Sequence, residues 1–150
     1  MFNFNYTNSV FRIAEILGIH DIEEKHVHVH GSLENSDIIF GVEDDAKVQS
    51  DHYFFKKSRN RNFGKSNIAR HLEPETDLVL FGHSLGITDS SYFQRYIHLL
   101  GSVRHGTELK FYHFGDSGYH DLMAMIEKYT NNKLSHFKNN NKFTEIDTSK

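Results

Sequence analysis

Cysteine is absent from this chain of 150 residues, which removes disulfides, thiolate nucleophiles and cysteine zinc sites together and fits a reducing compartment. Any metal would have to be held by histidine and carboxylate. No run of about 18 or more apolar residues is present, as a membrane-crossing helix would need. The amino terminus, MFNFNYTNSV, also lacks the basic region and apolar stretch of a secretory signal. A cytoplasmic protein with no membrane partner is expected. Neither sign of charge dominates: the net charge is −3 with histidines neutral, so bulk electrostatics recruit neither nucleic acid nor an anionic surface. Hydrophobic residues make up 37% of the chain, enough for one compact domain.

Against that background two segments concentrate the chemistry. HVHVHGS (26–32) and LVLFGHSLGITD (78–89) are β-branched or apolar runs that stop in small polar residues, as strands do where a parallel sheet presents ligand-binding groups at its carboxyl edge. A third segment, Lys56–Arg70, carries six basic residues and no acidic one. It reads either as a solvated loop or as a phosphate-contacting patch through which nucleic acid could bind.

The patterns between these segments predict an α/β order. FNFNY (2–6) alternates like a strand, and Val10, Phe11, Ile13, Ala14, Ile16 and Leu17 follow at helical spacing, capped by Thr7 or Asn8 and ended by Gly18. His26 to His30 should form a strand with Val27 and Val29 on one face and the histidines on the other. DIIFGV (37–42) reads as a further short strand. Residues 47–74 are a polar, basic insertion with weak helical periodicity, stopped by the lone proline, Pro74. DLVLFG (77–82) is of buried-strand type, and a helix should start at Asp89 or Ser90 and close at Gly101. ELKFYHF (108–114) is a strand, a helix follows Gly118, and the asparagine- and lysine-rich residues 131–150 should fray as a polar tail. Strands separated by helices imply a mostly parallel, doubly wound sheet with flanking helices over residues 1–130. The glycine-rich first turn that cradles phosphate in such folds is missing.

Three chemistries fit these motifs. Gly82-His83-Ser84-Leu85-Gly86 satisfies the nucleophile pattern of serine hydrolases, with Asp116 and His120 downstream, although a loop separates Ser84 from the next helix. His26, His28 and His30 could present imidazoles to a metal, but no second ligand cluster accompanies them, and no metal is expected. The third is a nucleotide or ribose pocket at one sheet edge, built from Asn5, Thr7, His30, Gly31, Ser32, Gly82 and Ser84. There the glycines allow close backbone approach, the hydroxyls and amide bind ribose or phosphate, and His30 serves as a base. Ordinary turn chemistry explains the same residues equally well.

FNYT (4–7), HVHGSL (28–33), IIFGV (38–42) and FGHSLGITDSSYF (81–93), in this order, resemble the AbiH family of bacterial abortive phage-infection proteins. The resemblance implies a Rossmann-like fold, here incomplete, and a role in phage defence. Through a more distant likeness of that family to sirtuin-type domains, it also implies NAD as substrate or ligand. His30 and Asn5 would then be catalytic, with Thr7, Gly31, Ser32, Gly82, Ser84 and Asp89 around the nucleotide. Thr7 stands where the sirtuin-like motif has an acid, and His83 where it has threonine. The family's glycine-rich amino-terminal loop has no counterpart, so the chain resembles the carboxyl-terminal part of such a protein, needing a missing amino-terminal segment or a partner chain to hold phosphates. NAD cleavage is implied for the complete protein and not for this chain alone. A catalytically silent interaction module is the alternative.

Overall fold

The computed structural model describes residues 1–20, 22 and 26–150. They form two units, residues 1–68 and 69–150, each with its own parallel sheet and helices, so the α/β class holds as a partial Rossmann-like fold. Among the described residues hydrogen bonding gives two parallel sheets, one of two strands and one of three, instead of the single sheet expected.

In the first unit β1 (Phe2–Asn3) pairs in parallel with β2 (Val27–His28), and α1 (Ser9–Ile16) follows β1. The strand expected over 26–30 is shorter because the Val29 N–H makes the last bond, to the Asn3 carbonyl at 2.8 Å, and the chain then turns. Val29 is buried and Val27 exposed, so only part of the expected alternation survives. Asn8 precedes α1 without a side-chain capping bond. Residues 37–42 form no strand. The Ile39 N–H donates to the His30 carbonyl, whereas Val42 makes one isolated bridge to Lys56, so no single neighbour runs alongside them to supply a ladder.

The insertion expected at 47–74 consists of tight 3-10 turns at Ser50–Phe55 and Lys57–Arg59 and the short helix α2 (Ile68–His71). Its basic residues are not all solvated: Lys57 is 5% exposed, with Nζ 4.0 Å from Glu43. A buried ammonium loses its hydration, and such a partner offsets part of that cost.

The second unit alternates more fully. β3 (Leu78–Leu80), α3 (Ser90–Ser102), β4 (Glu108–His113), α4 (Gly115–Tyr129), α5 (Leu134–Asn140) and β5 (Lys142–Asp147) give a parallel sheet in the order β3-β4-β5. Phe93, Ile97 and Leu100 of α3, Leu122 and Ile126 of α4, and Leu109 and Phe111 of β4 are buried. Each such side chain contributes about 1.5–3 kcal/mol when removed from water.

Two elements depart from expectation. Gly101 lies inside α3 rather than closing it: a Cβ there would stand 2.8 Å from Thr130 Cγ2, so the glycine permits close approach of α3 to the end of α4. The polar tail expected to fray is instead α5 and β5. Phe137 is fully buried, Phe143 packs its ring 5.4 Å from Phe111 and 5.6 Å from Phe137, and the Asn141 amide donates to the carbonyls of Leu100 and Phe137. Two phenylalanines and one asparagine thus anchor a segment whose composition is polar. Among the described residues no helix is long and apolar enough to cross a membrane.

Candidate functional site

The His30-Gly31-Ser32 segment of the first unit is a tightly bonded turn. Gly31 has φ of 75°, and a Cβ would collide with the Asp37 carbonyl; only glycine fits both the conformation and the space. The Ser32 N–H donates to Asp37 Oδ1 at 2.8 Å, and the Ser32 hydroxyl accepts from the Asn35 N–H at 3.2 Å. Asp37, which sequence reasoning did not single out, therefore organises this turn. His30 is 5% exposed, its ring 5.4 Å from that of Phe4 and 6.3 Å from that of Tyr6.

Asn5 and Thr7 lie at the exposed end of β1, where the Asn5 N–H is held by the Asn3 side-chain oxygen at 2.9 Å. The Asn5 carbonyl accepts from His28 Nδ1 at 2.9 Å. The rings of His26 and His28 stand edge to face at 4.6 Å, and Phe11 covers His26 at the same distance. Burial, the neighbouring His28 and the amino terminus hold His26 below the usual histidine range, in that order of size. No group of three side chains that could hold a metal occurs among the described residues.

Gly82, Ser84 and Asp89 belong to the second unit, in the loop that follows β3. This loop is held at several points. The Leu85 N–H donates to His83 Nδ1 at 3.0 Å, so the neutral ring carries its proton on Nε2, which lies 3.2 Å from Asp89 Oδ2. The Tyr129 hydroxyl donates to the Leu85 carbonyl at 2.8 Å. Asp89 precedes α3 without capping it; its carboxylate is used by His83 instead. The positive φ in the loop belongs to Gly82 and Leu85, not to Ser84, and a 3-10 turn at Ile87–Asp89 separates Ser84 from α3. The strand, nucleophile and helix of a hydrolase elbow are therefore not contiguous here.

An open crevice of about 250 Å³ lies at the carboxyl edge of the β3-β4-β5 sheet. Residues 81–84 line it from β3, residues 112–114 from β4, Gly118, Asp121 and Leu122 from α4, and Thr148 from beyond β5. His113 donates through Nδ1 to the Gly115 carbonyl at 3.1 Å, which makes Nε2 the acceptor of its neutral ring. Asp147, at the end of β5, accepts the Gly115 N–H at 3.0 Å and the Ser149 N–H at 2.9 Å. The bonds from Ser149, then that from Gly115, lower its pKa to about 2.

Sequence reasoning reached Gly82 and Ser84 in this crevice and missed Phe81, Phe114, His113, Asp121 and Thr148. A signal was present. Phe81-Gly82 and Phe114-Gly115 repeat one dipeptide at the ends of adjacent strands, and both glycines are left-handed, at φ of 64° and 62°. In each case the chain swings away after the phenylalanine, leaving the two rings 74% and 75% exposed.

A family model described as bacteriophage abortive infection AbiH matches residues 1–112. The match covers the whole first unit and the second as far as Tyr112, so the crevice is lined partly from within it and partly from beyond it. No curated protein and no solved structure matches the chain.

Proposed function

The chain belongs to the bacteriophage abortive infection AbiH family, and from that premise we propose that it serves phage defence by binding an NAD-like nucleotide at the carboxyl edge of its three-stranded sheet. The observation that supports this reading is the crevice formed where β3 and β4 end, with Gly82 and Ser84 on its wall. Ligands of parallel α/β sheets bind outside the carboxyl ends of the strands, and concave sites with a few polar groups among aromatic ones are the usual form of small-molecule pockets.

The fit to NAD is partial. About 250 Å³ is below the roughly 300–1,000 Å³ of pockets that enclose whole drug-sized ligands, and among the described residues lining the crevice none is lysine or arginine. One nucleoside end fits, whereas the pyrophosphate finds no lysine or arginine there. Gly82, Ser84 and Asp89 are the proposed nucleotide-side residues, Asp89 acting by holding His83. Within the first unit, His30 and Asn5 are the proposed catalytic groups and Thr7, Gly31 and Ser32 the proposed ligand contacts, on resemblance to NAD-binding enzymes.

The test is a calorimetric titration of NAD into the 150-residue chain, paired with plaque counts on a bacterial host expressing it. Weak binding and reduced plaque formation are expected, with both lowered further in Ser84→Ala, which removes one hydrogen-bonding group without altering the loop's internal bonds. Stoichiometric labelling of Ser84 by a fluorophosphonate would replace this reading with a serine hydrolase.

A further inference from the structure

The two rings at the mouth of the crevice are poorly accounted for by the fold. Phe81 and Phe114 are 74% and 75% exposed although each follows directly on a strand of the core sheet. Tyr112 stands edge-on to Phe81 at 5.6 Å, so three aromatic rings line one small concavity. Asp121, an exposed carboxylate on α4, shares that wall, and the lining contains no lysine or arginine among the described residues.

We propose that this crevice binds a ribonucleoside, with the base against Phe81 and Phe114 and the ribose diol hydrogen-bonded to Asp121. The assignment rests on the nucleotide reading above and specifies which part of the nucleotide is bound. Every nucleobase offers a flat face to an aromatic side chain, and water leaves both surfaces when they stack. A carboxylate accepts hydrogen bonds from both hydroxyls of a diol, as acidic residues near the ends of parallel strands do for ribose. The same carboxylate repels phosphate, and no lysine or arginine among the described residues lines the crevice to offset it, so the neutral nucleoside is favoured and any phosphates extend outside. A cavity of about 250 Å³ suits that fragment rather than a whole dinucleotide.

The experiment titrates adenosine, 2′,3′-dideoxyadenosine and NAD into the 150-residue chain and three variants, with backbone amide spectra verifying that each variant keeps its fold. Adenosine should bind wild type about tenfold more tightly than the dideoxy compound, the loss expected when a charged hydrogen-bond partner goes unused. Asp121→Ala should abolish that preference without weakening the dideoxy compound. Phe81→Ala and Phe114→Ala should each weaken both nucleosides about tenfold, in line with base stacking on one ring. Equal affinity for the two nucleosides in wild type, or no binding of adenosine, would overturn the inference. NAD binding that is unchanged in all three variants would overturn it while sparing the nucleotide reading. Adenosine binding with the expected losses but no affinity for NAD would leave the inference standing and remove that reading.

Discussion

His83 Nε2 lies 3.2 Å from the carboxylate of Asp89, and the opposite nitrogen of the same ring accepts the Leu85 N–H. One imidazole thereby ties Leu85, in the loop after β3, to Asp89 at the end of the 3-10 turn that closes it. Both partners are largely buried, His83 at 12% and Asp89 at 14% side-chain exposure, so their bond is weakly screened by water. Asp89 sits where a helix cap is expected, yet its oxygen is spent on the histidine. The loop is thus shaped before any ligand arrives.

Replacing Asp89 with alanine should therefore loosen the loop more than it weakens α3. A hydrogen bond to a charged group contributes about 1.5–3 kcal/mol, and its loss frees the His83 ring to turn away from the Leu85 amide. Hydrogen exchange at Leu85 should accelerate strongly in Asp89→Ala, while the α3 amides beyond the first turn remain protected. Uniform acceleration along α3 would mean that Asp89 acts as an ordinary helix-start residue.

Gly31→Ala should destabilise the first unit by more than about 1 kcal/mol, since alanine is placed at a left-handed φ and its Cβ meets the Asp37 carbonyl. Ser32→Ala removes the bond from the Asn35 N–H and should cost about 1 kcal/mol. Urea unfolding followed by amide signals of residues 27–39 distinguishes the two. A Gly31→Ala variant as stable as wild type would show that the turn can open without cost.

The carboxyl edge of the second sheet should lose stability in acid between about pH 4 and pH 2. Asp147 has its pKa lowered from 3.8 to about 2, first by bonds from Ser149 and then by the Gly115 N–H. Over that interval the folded chain holds fewer protons at this site than the unfolded chain, so the stabilisation is complete above pH 4 and disappears as pH falls through 2. Carboxyl chemical shifts of Asp147 should titrate at the lower value. The chain with Asp147→Asn should show a flatter acid limb of stability. A midpoint near 3.8 in the native protein would contradict the bonding described at the start of α4.

Much of the second unit was legible from local pattern. The 3.6-residue spacing of Tyr92, Phe93, Tyr96, Ile97 and Leu100 specified α3, the run Leu78–Leu80 specified a buried strand, and Gly82-His83-Ser84 marked its carboxyl end. The first unit was less legible, because its two-residue strands hold few positions for a period to repeat.

By itself the sequence determined the absence of thiol chemistry, the β-α alternation and the small polar groups that end the strands, because these depend on residue type and on neighbours a few positions away. Only the tertiary structure decided which segments pair and which side chains converge. Glu108 lies beside Lys142 in register, Asp147 reaches back to Gly115, Lys57 is buried against Glu43, and Phe81, Phe114 and Asp121 meet at one crevice. Each brings together residues from separate segments of the chain. Its formation depends on burial and hydrogen-bond satisfaction across the assembled unit, and no local periodicity encodes that.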